Sequence, residues 1–407
     1  MLLVVLSFLS MSAAKNVTFS NTAPRLDATG SIINAHDGTT RRYGGVGSPF
    51  YYHSIGYPHC NETGAINGCN NCIFSRANSI DVWSSLDLSS GSWKKESTVY
   101  PNHKAALPSC TYFRSQTVYN AATQQYVLWA NAVGCETSTC PNGRCGEYVV
   151  ATAPAPEGPF AFHSMATPTA PSPTHSLGDF ALFVDGDGSG WGAFTYLLEG
   201  AGPREVWVIS LTPDFTGFGT ESTGALPGQR LVEAPAMFKR NSTYYVLLGG
   251  CTCMGLYGGG VGVVTAPHPL GPWSNVTGSL DPGCDMWRQP SCFTMGPGAI
   301  CNPVTQAQQN FVVEVPLADG SSALVWTGKS MRHSSSASAP SPLRRILPLT
   351  PHAPPPLPNP PKTVGDRWQQ SPNKMYDEQP QTWLPLSFDG DTILPLQWVD
   401  NFTLDIV

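Results

Sequence analysis

Charge is scarce in this chain. Asp, Glu, Lys and Arg make up 12% of its 407 residues and leave a formal net charge of -6. That balance disfavours long solvated helices. No run of basic residues resembles a nucleic-acid or membrane-surface patch, which removes both partners from consideration. Long hydrophobic runs are lacking too: beyond the N-terminal residues, no stretch is apolar for long enough to span a bilayer. Nor does any segment repeat apolar residues at helical spacing. Gly (40 residues) and Pro (38 residues) are abundant instead, as in proteins of many short strands joined by tight turns.

Three features fit export. "MLLVVLSFLSMSAA" (1–14) has the apolar run and small residues of a signal peptide, although it lacks a basic start. Twelve cysteines, an even number, are dense for a reducing compartment. N-x-S/T acceptors stand at Asn16, Asn61, Asn241, Asn275 and Asn401. The "CNNC" at 69–72 could bind zinc, but no second pair has zinc spacing, so disulfides are the expectation. Together these features predict a secreted, soluble monomer.

Five aromatic-rich runs each follow a turn signal: "GSPFYYHSIGY" (47–57), "TQQYVLWANAV" (123–133), "GSGWGAFTYLL" (188–198), "RNSTYYVLLGG" (240–250) and "DGSSALVWTGK" (319–329). In "DFALFVDGDGSGWGAFTYLL" the preceding strand is visible, with Asp185–Gly190 as the hairpin turn. Units of a few antiparallel strands at roughly 50–80-residue spacing predict an all-β, five-bladed β-propeller over 15–407. A two-sheet β-sandwich is the alternative. The Ser- and Pro-rich 331–362 cannot pair as central strands and reads as a surface insertion without strand structure. The closing run "TWLPLSFDGDTILPLQWVDNFTLDIV" reads as a hairpin pair that completes the last blade.

"SIINAHDGTTRRYGGVGSPFYYHSIG", "SLGDFALFVDGDG", "EAPAMFKRNSTYYVLLGGCT", "APHPLGPWSN" and "VGDRW…TWLPLSFDGD", in that order, resemble glycoside hydrolase family 43. The nearest branch is the galactan 1,3-β-galactosidase-like enzymes. The resemblance runs from about Asp27 to Trp398. It implies a five-bladed propeller with a pocket at its axis, inverting hydrolysis of a β-linked galactan or similar polysaccharide, and no cofactor beyond a structural calcium at the axis.

Inverting hydrolysis needs a proton donor beside the leaving oxygen and a base on the opposite ring face. Glu233, a lone acid among small and apolar neighbours in "LVEAPA", matches the family's general acid; a Glu paired with an Arg at a strand end is the plain alternative. Asp179 matches the residue that orients the acid, and a backbone-binding turn Asp is its alternative. Asp185 and Asp187 read as structural turn residues. In most of the family the base is an Asp on the first innermost strand, whereas this branch reads "AHGG" there. Here the string is Ala35-His36-Asp37-Gly38, so His36 takes the position of the usual base and binds a sugar hydroxyl in this reading. Asp37 could serve as base only if the backbone turns, because successive strand side chains face opposite ways.

The branch replaces the base with an amide, which Gln308 matches best and Gln309 next, holding the attacking water. Phe113 stands where the branch usually has a Glu, while Arg114 and "VYN" (118–120) keep the register. Trp129, Thr252 and Arg367 match positions near the pocket and are expected to bind sugar; Trp129 as core and Arg367 as an inter-blade salt bridge are the alternatives. These departures favour one alternative, a sugar-binding propeller impaired in catalysis, while the Cys and glycan-acceptor content alone favours another, an extracellular adhesion propeller.

Overall fold

The structure, a computed structural model, describes residues 14–59, 78–99, 108–135, 146–168, 176–197, 204–227, 232–250, 260–275, 280, 307–330, 378 and 381–407. The signal-like segment except Ala14, the 331–362 insertion, Thr252 and Arg367 lie outside them. Among the described residues every regular element is a strand, and no helix is long and apolar enough to cross a membrane.

The chain opens with β1 (Lys15–Ser20) and then builds five antiparallel units in succession, the first two joined into one eight-stranded sheet by a parallel bridge, Gly38↔Ser115. The first unit is β2 (His36–Arg42), β3 (Phe50–Gly56), β4 (Ser79–Ser85) and β5 (Lys94–Val99). The second is β6 (Thr111–Asn120), β7 (Gln125–Val133), β8 (Gly146–Ala153) and β9 (Ala161–Ala166). The third is β10 (Ser176–Val184), β11 (Gly190–Leu197), β12 (Arg204–Leu211) and β13 (Phe218–Ala225). The fourth is β14 (Val232–Arg240), β15 (Thr243–Gly250), β16 (Val261–Ala266) and β17 (Ser274–Asn275). The fifth is β18 (Ala307–Pro316), β19 (Ser322–Ser330) and β20 (Gln381–Pro385). A small hairpin, β21 (Phe388–Asp389) with β22 (Thr392–Ile393), follows, and then β23 (Asn401–Ile406).

The five aromatic-rich runs of the sequence are the second strands β3, β7, β11, β15 and β19. Their apolar character on both faces has a physical cause, since side chains alternate across a strand and both sides of each unit are covered. On β15, Tyr244, Val246 and Leu248 join a core shared with the third unit, whereas Tyr245 and Leu247 join one shared with the fifth. On β7, Leu128 and Ala130 face the first unit while Val127 and Trp129 face the third. A further core, built on Phe50, Val313, Val325 and Trp383, lies between the fifth unit and the first. The units therefore pack in cyclic order, each sandwiched between two neighbours.

One expectation needs correcting. The closing run does not form a hairpin within the last unit. β20 pairs there, on β19, whereas β23 pairs antiparallel with β1, from Lys15↔Ile406 to Ser20↔Asn401, and touches the last unit through a single bridge, Leu317↔Ile406. Val17 and Phe19 alternate inward on β1 and drive this pairing by burial. The Asp185–Gly190 hairpin turn forms as expected, with Asp185 N–H donating to Ser189 O and the Asp185 carboxylate accepting from Lys239.

Candidate active site

All five first strands break register near their N-terminal ends. β2 does so between His36 and Thr39, β6 between Phe113 and Gln116, and β10 between Leu177 and Phe180. β14 does so between Glu233 and Ala236, and β18 between Gln309 and Phe311. A bulge inserts an unpaired residue, bends the strand and re-aims its side chains. At three of these breaks a non-glycine residue takes positive φ: Asp37 (46°), Arg114 (53°) and Ala234 (51°). Each costs on the order of 1–2 kcal/mol that the surrounding packing must offset. Sequence-matched polar residues thus gather at one end of the ring, each beside an irregularity.

Glu233 opens β14 and is 4% exposed. Its Oε1 accepts from Gln308 Nε2 at 3.0 Å, and its Oε2 forms an ion pair with Arg204 at the start of β12. Gln308, expected to hold the attacking water, is instead hydrogen-bonded to the acid itself, and the plain alternative, an Arg partner for Glu233, is present as well. The Glu233–Ala236 break also points the Ala234 carbonyl at Gln309, whose Nε2 donates to it at 2.9 Å.

Arg114 ties the rest together. Its NH2 pairs with Asp179 Oδ2 at 3.1 Å, and its NH1 donates to Gln309 O (2.9 Å) and Asn310 Oδ1 (3.0 Å). One guanidinium from the second unit thus joins the third and fifth, while Asn310 Nδ2 reaches the first at Gly38 O (3.0 Å). Burial opposes the Arg114 charge, but the carboxylates of Asp179 and Asp37 outweigh it and hold the group above its ordinary range. Asp37 is 7% exposed and accepts from Tyr57 OH at 2.6 Å. Burial, with the Asp37 charge added, pushes the Tyr57 hydroxyl well up, so it stays a proton-bearing donor. His36 is buried beside the Tyr57 ring, 4.9 Å between centroids.

The left-handed turn at Asp37 is the backbone condition the sequence left open, and it keeps Asp37 from following strict strand alternation. Trp129 does not reach the site. It is fully buried in the core between the second and third units, with Nε1 donating to Phe215 O at 2.8 Å. The apolar alternation of β7 gives the reason, because position 129 points to the inter-unit face. Phe113 packs half-buried against the neighbouring core, so the position where the branch carries a Glu is apolar in contact as well as in sequence. No group of three or more His, Cys, Asp or Glu among the described residues could hold a metal. Sequence reasoning missed Arg204 and Tyr57 and used Arg114 only to fix a register. None carries a local signal, since each is defined by strands distant in sequence.

The profile of glycosyl hydrolases family 43 matches residues 71–280, just over half of the chain. The chain belongs to family 43. Family 43 is a family of β-propeller glycosidases. No curated protein matches the sequence. Among solved structures, a family 43 β-1,3-galactosidase is 18% identical, with a TM-score of 0.60 over 95% of this chain and 64% of its own. The exo-β-1,3-galactanase of Clostridium thermocellum is 20% identical, with a TM-score of 0.62 over 95% and 67%. That of Phanerochaete chrysosporium, solved with β-1,3-galactotriose, is 15% identical, with a TM-score of 0.62 over 96% and 69%. The chain thus spans about two thirds of the length of these family 43 relatives, whose shared fold it has.

Proposed function

We propose that this family 43 enzyme is a secreted, monomeric, five-bladed propeller that hydrolyses β-1,3-linked galactan with inversion. The cyclic packing of five units supports the blade count. The contact between buried Glu233 and Gln308, at the end of the ring where Asp37 and Asp179 also stand, is the observation that carries the catalytic reading. Glu233 delivers a proton to the glycosidic oxygen as the bond to the anomeric carbon breaks. Asp37 takes a proton from the water attacking the opposite ring face, and its hydrogen bond from Tyr57 fixes its direction. Gln308, engaged on Glu233, positions the acid rather than the water, while His36 contacts a sugar hydroxyl. Asp179, held by Arg114, sets the field around the acid.

The ion pair between Arg204 and Glu233 favours a second reading, a propeller that binds galactan without cleaving it. Glu233 can deliver a proton only if Arg204 releases Oε2 when sugar enters. Reducing-sugar release from β-1,3-galactan separates the two. Hydrolysis should fall by about 10²–10⁴-fold in Glu233→Gln and in Asp37→Asn, the usual worth of a general acid or base. Equal, negligible release by wild type and Glu233→Gln, with oligosaccharide binding intact, decides for the binding protein. Proton NMR of fresh product reports stereochemistry, and net retention rules the mechanism out.

A further inference from the structure

The first strands run from the Glu233 end of the ring to a second opening roughly 15 Å away, at 3.3 Å per strand residue. A cavity of about 420 Å³ lies there, lined by the C-terminal halves of the same strands. Its lining includes Arg41, Arg42, Tyr43, Tyr119, Lys239 and Glu314. Nothing in the hydrolytic site uses these side chains.

The charges in this cavity are unbalanced. Lys239 is neutralised by Asp185 at 2.9 Å and donates to Tyr244 OH. Arg41 makes no ion pair among the described residues. Arg41 NH2 donates to Leu182 O (2.6 Å), and its guanidinium lies 4.9 Å from the Phe311 ring centroid. Arg42 NH1 donates to Val407 O (2.5 Å), and its guanidinium lies over Phe50. The Nε of each is buried with no hydrogen-bond partner among the described residues. Glu314, the acid in the lining, is exposed; its charge favours that of Arg41 but makes no ion pair with it among the described residues. Burial lowers the proton affinity of both guanidiniums. A desolvated cation with unused donors is costly unless an anion completes it, and Arg suits the planar oxygens of a carboxylate or sulfate.

The opening is also aromatic. Tyr43 and Tyr119 line it half-buried, and Tyr126 packs on both, 5.1 and 4.9 Å between centroids. Ring faces beside the arginine cations, in a volume suited to one monosaccharide, define a ligand with an apolar ring surface and a negative group. We infer that this cavity, at the far end of the ring from Glu233, binds an acidic sugar residue through Arg41 and Arg42, against the tyrosine rings.

Isothermal titration with D-glucuronate, galactose 6-sulfate, D-galactose and inorganic sulfate tests this on wild type, Arg41→Met and Arg42→Gln. Either acidic sugar, or both, should bind wild type at least tenfold more tightly than D-galactose and than free sulfate. Each variant, with its melting temperature within a few degrees of wild type, should lose at least tenfold of that affinity. Should the variants unfold, the wild type alone decides: acidic sugar must shift tyrosine ring resonances in NMR, and raising NaCl from 20 to 500 mM must weaken binding. Unchanged affinity in both folded variants overturns the inference. So do equal binding of galactose, sulfate binding as tightly as the acidic sugars, tyrosine resonances that do not move, and no binding of either acidic sugar.

Discussion

Arg114 provides the most demanding test of how the ring is held. Replacing it with Met keeps a long apolar stem and removes the guanidinium. Asp179 Oδ2, Gln309 O and Asn310 Oδ1 then lose their donors together. Arg114 is 3% exposed and the Asp179 side chain 17%, so water restores little of this. Breaking a buried ion pair on one side costs about 3–5 kcal/mol. Set against a total stability of roughly 5–15 kcal/mol, that is a large fraction. Arg114→Lys keeps the charge but cannot serve three acceptors in two units, and should lose about half as much. Urea denaturation followed by tryptophan fluorescence measures both losses. A double-mutant cycle with Asp179→Asn should return a coupling of about 2 kcal/mol or more. A loss below about 1 kcal/mol in Arg114→Met, with coupling near zero, would refute the view that one guanidinium binds three units.

Other positions give sharper, smaller tests. A Cβ on Gly38 would lie 1.9 Å from His53 O, a backbone atom that cannot swing aside. Gly38→Ala should therefore destabilise by about 3 kcal/mol or more and lower hydrolysis with it, as a melting curve and galactan assay would show. His53 is fully buried, and burial, despite a hydrogen bond with Pro156 O, lowers its pKa to about 4. Between there and the unfolded value of 6.5 the unfolded chain binds the extra proton, so stability rises with pH across that window. The span corresponds to about 3 kcal/mol, and His53→Gln should flatten the stability profile from pH 4 to 6.5 in denaturant titrations. The Cys110–Cys135 disulfide closes a 25-residue separation, so the double Cys→Ala variant should lose about 3.5 kcal/mol by the chain-entropy relation. An unchanged urea midpoint would contradict that value.

The second strands were legible because a run such as Tyr244–Leu248 is apolar on both faces, and only an element covered on both sides supports that pattern. Glu233 was legible for the opposite reason, as a carboxylate in apolar company. The bulges were not. Asp37, Arg114 and Ala234 adopt positive φ although none is glycine, so their geometry is imposed by neighbouring units rather than by local preference. Arg204 and Tyr57 stayed hidden because their partners are set by how strands stack. Trp129 shows the converse error: an aromatic residue on a site-bearing unit looks like a sugar platform until alternation sends it into the core.

The pairing of β1 with β23 imposes an order on synthesis. Phe19 leaves the ribosome well before its partner Phe402, stacked 4.8 Å away and nearly four hundred residues further along the chain. Until then Val17 and Phe19 wait with their apolar faces uncovered, and the first unit lacks the neighbour that covers Phe50 and Tyr52. The seam is thus the strand pairing of widest sequence separation among the described residues, and it forms late in synthesis. A nascent chain stalled before Asn401 should remain an open arc, sticky at both ends and prone to capture by chaperones or by a second unfinished copy.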